Sequence, residues 1–121
     1  MNNRRVVITG CGISSALGNT PQELFRRLSE NQSAVKRMEH WDIPLHAAPV
    51  NLTDAEIKSM SRGIRRSMGR LAMMSALAAK RAADDAGLTE EELTCGRTGC
   101  VAGSTMGSSE TLESVFLRVY K

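Results

Sequence analysis

The sequence predicts an α/β chain: strands of a parallel sheet with helices packed on them, incomplete on its own. Three observations carry this. Val6, Val7 and Ile8 are consecutive and β-branched, which suits a strand covered on both faces. A second run of buried type spans 98–103, and helical patterns lie between the two. Two strands cannot bury themselves from both sides, so the pattern itself calls for further strands, from more chain or from a partner.

At 121 residues the chain suffices for one small domain. Sixteen basic against 13 acidic side chains leave a net charge of +3, which alone does not imply a nucleic-acid binder. Phe25, Trp41, Phe116 and Tyr120 are too few aromatics for a single-strand stacking platform. The core has to come from Ala, Val, Leu, Ile and Met. Cys11, Cys95 and Cys100 are an odd set with no secretory signal, so reduced thiols and a cytoplasmic location are expected. Cys95 and Cys100 lack the second pair that a zinc site needs, and each cysteine reads as a small buried or half-buried thiol. No metal and no cofactor are expected. No apolar run approaches the roughly 20 residues that cross a bilayer.

After Ile8 the chain enters a loop punctuated by Gly10, Gly12 and Gly18. Thr20, Pro21 and Glu23 then open a helix: cap, first-turn proline and capping-box acid. Leu24, Phe25, Leu28 and Val35 supply its apolar face, Arg26, Arg27 and Glu30 its wet face, and it ends near Asn31. Gly10-x-Gly12 after a strand invites a dinucleotide reading. That fingerprint needs a third small turn residue at position 15 and a helix opening at the glycines. Ser15 and a helix start at Thr20 argue against it.

Residues 36–56 carry Pro44 and Pro49 and read as irregular chain with one short strand near 47–50. His40 and His46 lie off any helix and read as ordinary histidines, with Trp41 anchoring the loop to the core. Thr53 and Glu56 open a short helix. Lys58, Arg62, Arg66 and Arg70 follow at spacing four, with Arg65 beside them, and Gly63 is expected to break the run. Two readings stay open for it: a solvated face, or a docking patch for an acidic partner.

The longest helix is expected over 67–86. Met68, Leu71, Met74, Ala78 and Ala82 make one side small and apolar, and Gly87 with Leu88 supplies the C-terminal cap. Thr89 to Glu92 opens a further helical turn. After the run at 98–103 come a loop, Gly103 to Ser109, and a helix from Glu110 capped by Ser108 or Ser109. Leu112, Val115, Phe116 and Val119 fall at helical spacing on it. The pattern reaches Lys121 with no stop signal, as if cut.

Three stretches carry a resemblance: RRVVITGCGISSALGNT at the start, RRSMGRLAMMSALAAKRAADDAGL, and RTGCVAGSTMGS. Together they closely resemble the N-terminal portion of β-ketoacyl–acyl carrier protein synthases, the condensing enzymes of fatty acid and polyketide assembly. The resemblance implies the first part of a thiolase-type layered fold, with residues 1–121 an N-terminal segment of the synthase N-terminal domain. It implies a decarboxylating Claisen condensation of an acyl thioester with malonyl–acyl carrier protein. The nucleophilic cysteine and the catalytic histidines are expected beyond Lys121, so the 121 residues alone are expected to be inactive. Met106 aligns with a position lining or gating the acyl-chain pocket; a plain core methionine is the other reading. Arg66, with Arg62 and Arg65 close by, aligns with a basic position used in docking the carrier protein. Gly63 and Ser67 stand where some members carry basic residues. A homodimer or a synthase heterodimer is expected at full length, with no nucleic acid and no membrane span.

Within the family, fatty acid, polyketide and aryl-polyene pathways stay open, as does acyl chain length. A chain-length-factor-like partner without the nucleophile is an alternative. So is a non-catalytic module that binds an acidic carrier protein through its arginines.

Overall fold

The computed structural model describes residues 4–39 and 42–120. His40 and Trp41, the latter expected to anchor its loop, lie outside the described residues.

Local signals set most of the helices. Helix α1 spans Pro21–Ser29, and the Thr20 hydroxyl accepts from the Glu23 amide at 3.2 Å. The Glu23 carboxylate reaches past the cap to the Asn19 amide and pairs with Arg27 at 2.7 Å. Helix α2, Asp54–Ser59, and helix α5, Glu90–Thr94, each carry a complete capping box, Thr53 with Glu56 and Thr89 with Glu92. Such a cap stabilises a helix end by about 1 kcal/mol.

The arginine run departs from expectation. Helix α2 ends at Ser59, Met60 is extended, and Ser61 starts the four-residue helix α3, Arg62–Arg65. The break therefore falls at Met60–Ser61, and Gly63 sits inside α3. Lys58, Arg62, Arg66 and Arg70 share no continuous helix face. Helix α4 spans Arg70–Asp85 and begins three residues later than expected. The Ser67 hydroxyl donates back to Ile64 O at 2.8 Å, so Gly69 takes the cap position. At the far end Gly87 adopts φ 68° and the Leu88 amide donates to Ala83 O, the closure expected there. Helix α6, Ser109–Val119, follows Ser108, whose side chain makes no capping bond.

The sheet is where sequence and structure differ most. The two described strands are β1, Lys36–Met38, and β2, Leu45–Ala47. They pair antiparallel, Lys36 with Ala47, Arg37 with His46 and Met38 with Leu45. The single strand expected near 47–50 is thus a hairpin ending at Ala47. Residues 4–9 and 98–103 form no ladder, and among the described residues no parallel pair occurs. Val6 is 94 % exposed and Val101 99 % exposed. Buried-type side chains lie in water because nothing flanks them.

The same deficit holds throughout. Leu77 is the one buried hydrophobe among the described residues. The accessible surface is 10333 Å². A folded monomer of 13.1 kDa exposes about 6,400 Å². The excess, roughly 3,900 Å², is the size of a large obligate interface. Phe25, Leu112, Val115 and Phe116 are all at least half exposed.

This surface predicts the behaviour of the isolated chain. The 121 residues alone should bind a hydrophobic dye strongly and melt without a cooperative transition in calorimetry. A sharp two-state melt with no dye binding would contradict the description.

Candidate functional site

Three places gather the chemistry-bearing residues. The first is the opening loop on α4. The backbone at Gly10 and Gly12 lies directly on the helix. A side chain at Gly10 would meet Ala86 N at 2.5 Å and Ala86 Cβ at 2.8 Å; one at Gly12 would meet Ala82 N at 2.6 Å. Only glycine against alanine permits that approach. The Cys11 amide donates to Asp85 Oδ2 at 2.9 Å. Ser15 closes the loop: its hydroxyl donates to Gly18 O at 2.7 Å and accepts from the Gly18 amide at 3.1 Å.

A polar cluster locks this loop to α2 and α4. Arg81 donates through Nη1 to Ile13 O and to Ser14 Oγ, each at 2.7 Å. Its Nη2 pairs with Glu56 Oε1, which also accepts from Asn19 Nδ2 at 3.3 Å. The other Glu56 oxygen accepts from the Thr53 amide at 2.7 Å and hydroxyl at 2.9 Å. The Arg81 and Glu56 side chains are 24 % and 18 % exposed, against 35 % or more for the other ion pairs among the described residues. Surface pairs contribute little, so this sheltered one matters most. Glu56 was read from sequence only as a capping acid, and Arg81, 25 residues away, carried no signal.

The second place is the loop before α6. Gly107 donates from its amide to Ser104 Oγ at 3.0 Å. An open, mostly apolar groove of about 810 Å³ runs between α4 and residues 100–108, with Leu71, Ser75, Ala79 and Val101 on its walls. Met106 is 80 % exposed and not on those walls. Nothing among the described residues covers Met106, so neither its pocket nor its core reading is decided by this exposure.

The third place is the arginine segment. Arg62 and Arg66 are exposed, while Arg65 is half-buried with its Nε shielded from water and unpartnered among the described residues. Arg70 donates to Val50 O instead of extending the row. The structure thus brings Arg62, Arg65 and Arg66 together on one short stretch, and Met106 lies on a separate loop.

The remaining candidates stay apart. Cys11, Cys95 and Cys100 are exposed free thiols, a correction of the buried reading. His46 is exposed on β2, opposite Arg37. Among the described residues no three His, Cys, Asp or Glu side chains cluster as a metal site, and no helix is long and apolar enough to cross a membrane.

The loop packed on α4, the second apolar run and the loop before α6 follow the order of a condensing-enzyme N-terminus, and comparison supplies the class. The chain belongs to the β-ketoacyl synthase family: the family model described as β-ketoacyl synthase, N-terminal domain, matches residues 3–119. That family is thiolase-like in fold. Among individual relatives, 3-oxoacyl-[acyl-carrier-protein] synthase 1 of Haemophilus influenzae is 34 % identical over 110 residues, 88 % of this chain and 27 % of the relative. Synthase 2 of Vibrio cholerae is 33 % identical over 94 % of this chain and 28 % of its own length. The actinorhodin polyketide putative β-ketoacyl synthase 1 of Streptomyces coelicolor is 26 % identical over 94 % of this chain and 25 % of its own. The chain spans about a quarter of the length of these curated relatives.

Glu56 supplies a pH dependence. Its carboxyl is held below the ordinary value of 4.5, first by the Thr53 amide, with the Thr53 hydroxyl and Arg81 adding to it against desolvation. The unfolded chain then takes up the proton at higher pH than the folded one. The stabilisation is complete above pH 4.5 and is lost as pH falls through the lowered folded value. In the full polypeptide carrying this sequence, Glu56→Gln should lower stability at neutral pH and flatten its loss below pH 4.5. Parallel acid-denaturation curves for the two proteins would contradict this.

Proposed function

We propose that this chain is the N-terminal segment of a β-ketoacyl–acyl carrier protein synthase that condenses an acyl thioester with a malonyl thioester. The match to the family model over 3–119 carries the reading, and named synthases at 33–34 % identity support it. In this reaction a thiolate takes the acyl group from its incoming thioester, releasing the carrier thiol, and the malonyl thioester loses carbon dioxide. The carbanion equivalent then attacks the acyl carbonyl, a carbon–carbon bond forms, and the thiolate leaves. The nucleophile and histidines of that chemistry are assigned to the remainder of such a protein, not to Cys11, Cys95, Cys100, His40 or His46.

In this reading residues 4–9 and 98–103 are neighbouring members of a parallel sheet whose other strands come from the remainder of the synthase. The roughly 3,900 Å² of excess surface supports it, because a chain this exposed calls for cover from further elements. Arg62, Arg65 and Arg66 form the docking surface for the acidic acyl carrier protein. Exposure of Arg62 and Arg66 on a segment with no acidic residue between 57 and 69 supports that role. Met106 belongs to the acyl pocket: an exposed, flexible thioether on the loop before α6 is available to a wall completed by further chain. Dimerisation and a cytoplasmic location go with the same reading.

A non-catalytic, chain-length-factor-like partner has the same N-terminal features. Turnover separates the two. The full polypeptide should release carbon dioxide from malonyl–carrier protein and form a 3-oxoacyl product; carrier binding without product would favour the partner. Arg66→Glu should raise KM for carrier-bound substrate by roughly tenfold. Met106→Gly should change the preferred acyl length, and an unchanged chain-length profile would remove Met106 from the pocket.

A further inference from the structure

We infer that the Glu56–Arg81 pair, braced by Asn19, positions the arginine segment for its acidic partner. This role rests on the docking reading of Arg62, Arg65 and Arg66. Neither Glu56 nor Arg81 is placed to touch the partner.

The arginines sit on structure that cannot hold itself. Helix α2 has six residues and α3 four, both far below the length at which a helix is stable alone. Neither contains a buried residue. Something must fix α2 and α3 to the body, because a docking surface whose charges wander loses affinity to ordering entropy. The side-chain hydrogen bonds that do so are few. Arg70 reaches back to Val50 O, just ahead of α2. From within the segment itself, Glu56 pairs with Arg81 on α4 and accepts from Asn19 beside α1. Arg81 at the same time holds Ile13 O and Ser14 Oγ of the opening loop. One carboxylate thus ties the arginine segment to the loop, to the start of α1 and to α4.

The placement gives the link direction. Glu56 lies six residues before Arg62 and ten before Arg66, with the extended Met60 between the two short helices. Releasing Glu56 frees α2 from α4 and the opening loop, and the segment is then tied to the body by its chain connection to α4 and by the Arg70 bond to Val50 O ahead of it. The three arginines lose their common orientation while every positive charge remains.

The experiment compares KM for carrier-bound and for carrier-free acyl thioester in the full polypeptide, with kcat recorded for both. Glu56→Gln and Arg81→Met should each raise the carrier-bound to carrier-free KM ratio by roughly three- to tenfold, with kcat nearly constant. On this ratio the double variant should show no more than either single one, because each already breaks the Glu56–Arg81 link that ties the segment to α4. Hydrogen exchange should quicken across 53–66 in each variant while α4 keeps its protection. Arg66→Glu is run alongside. If it raises the ratio and the Glu56 and Arg81 variants do not, the positioning role is overturned and docking stands. If Arg66→Glu leaves the ratio unchanged, docking fails and the positioning role falls with it. Should either variant unfold, Glu56→Asp, which keeps the charge but shortens its reach, takes its place under the same criteria.

Discussion

Everything in this chain hangs on the approach of the Gly10–Gly12 backbone to the alanine side of α4. A helix that presents Ala78, Ala82 and Ala86 offers a shallow surface, and a loop without side chains at two alternate positions can lie flat upon it. Any Cβ at Gly12 would force the loop away, and Arg81 would then lose Ile13 O and Ser14 Oγ together. The apolar contact sets the distance, and the polar cluster sets the register along the helix. Leu77, the one buried hydrophobe among the described residues, lies on the same helix one residue before Ala78.

That arrangement leaves a molecule with one finished side and one open one. On the finished side the loop, α2 and α4 are joined by hydrogen bonds from residues far apart in sequence. On the open side, Val6, Ile8 and Val101 are almost fully exposed. Apolar surface of this extent is expensive in water, at about 25 cal/mol per Å². The chain spans about a quarter of the length of each relative, and the proposed reading as part of a whole synthase would turn these exposed faces inward.

What could be read in advance follows the range of the interaction concerned. The caps at Thr20, Thr53 and Thr89 and the closure at Gly87 depend on residues within five positions, and they were legible. The start of α4 was not, because the Ser67 hydroxyl is taken by Ile64 O and cannot serve as the cap. Gly63 was a plausible breaker, yet Ser61 restarts a turn before it. The β1–β2 hairpin has three-residue strands with no alternation and no turn dipeptide, so its sequence carries almost no strand signal. The apolar runs at 6–8 and 98–103 predict strands, yet neither forms a ladder among the described residues, because a ladder needs neighbours. The site divides in the same way. Arg62, Arg65 and Arg66 stand out as local charge, whereas Arg81 and Glu56 meet across 25 positions and only the fold reveals the pair.

The central claim is that residues 4–9 and 98–103 are sheet strands that need the rest of a synthase to become so. Amide hydrogen exchange on the full polypeptide tests it most directly, read at Val6, Val7, Ile8 and Val101 and compared with the 121-residue chain alone. The account predicts strong protection of all four amides in the full polypeptide and none in the isolated chain. Rapid exchange at these positions in the folded, full-length protein would contradict it.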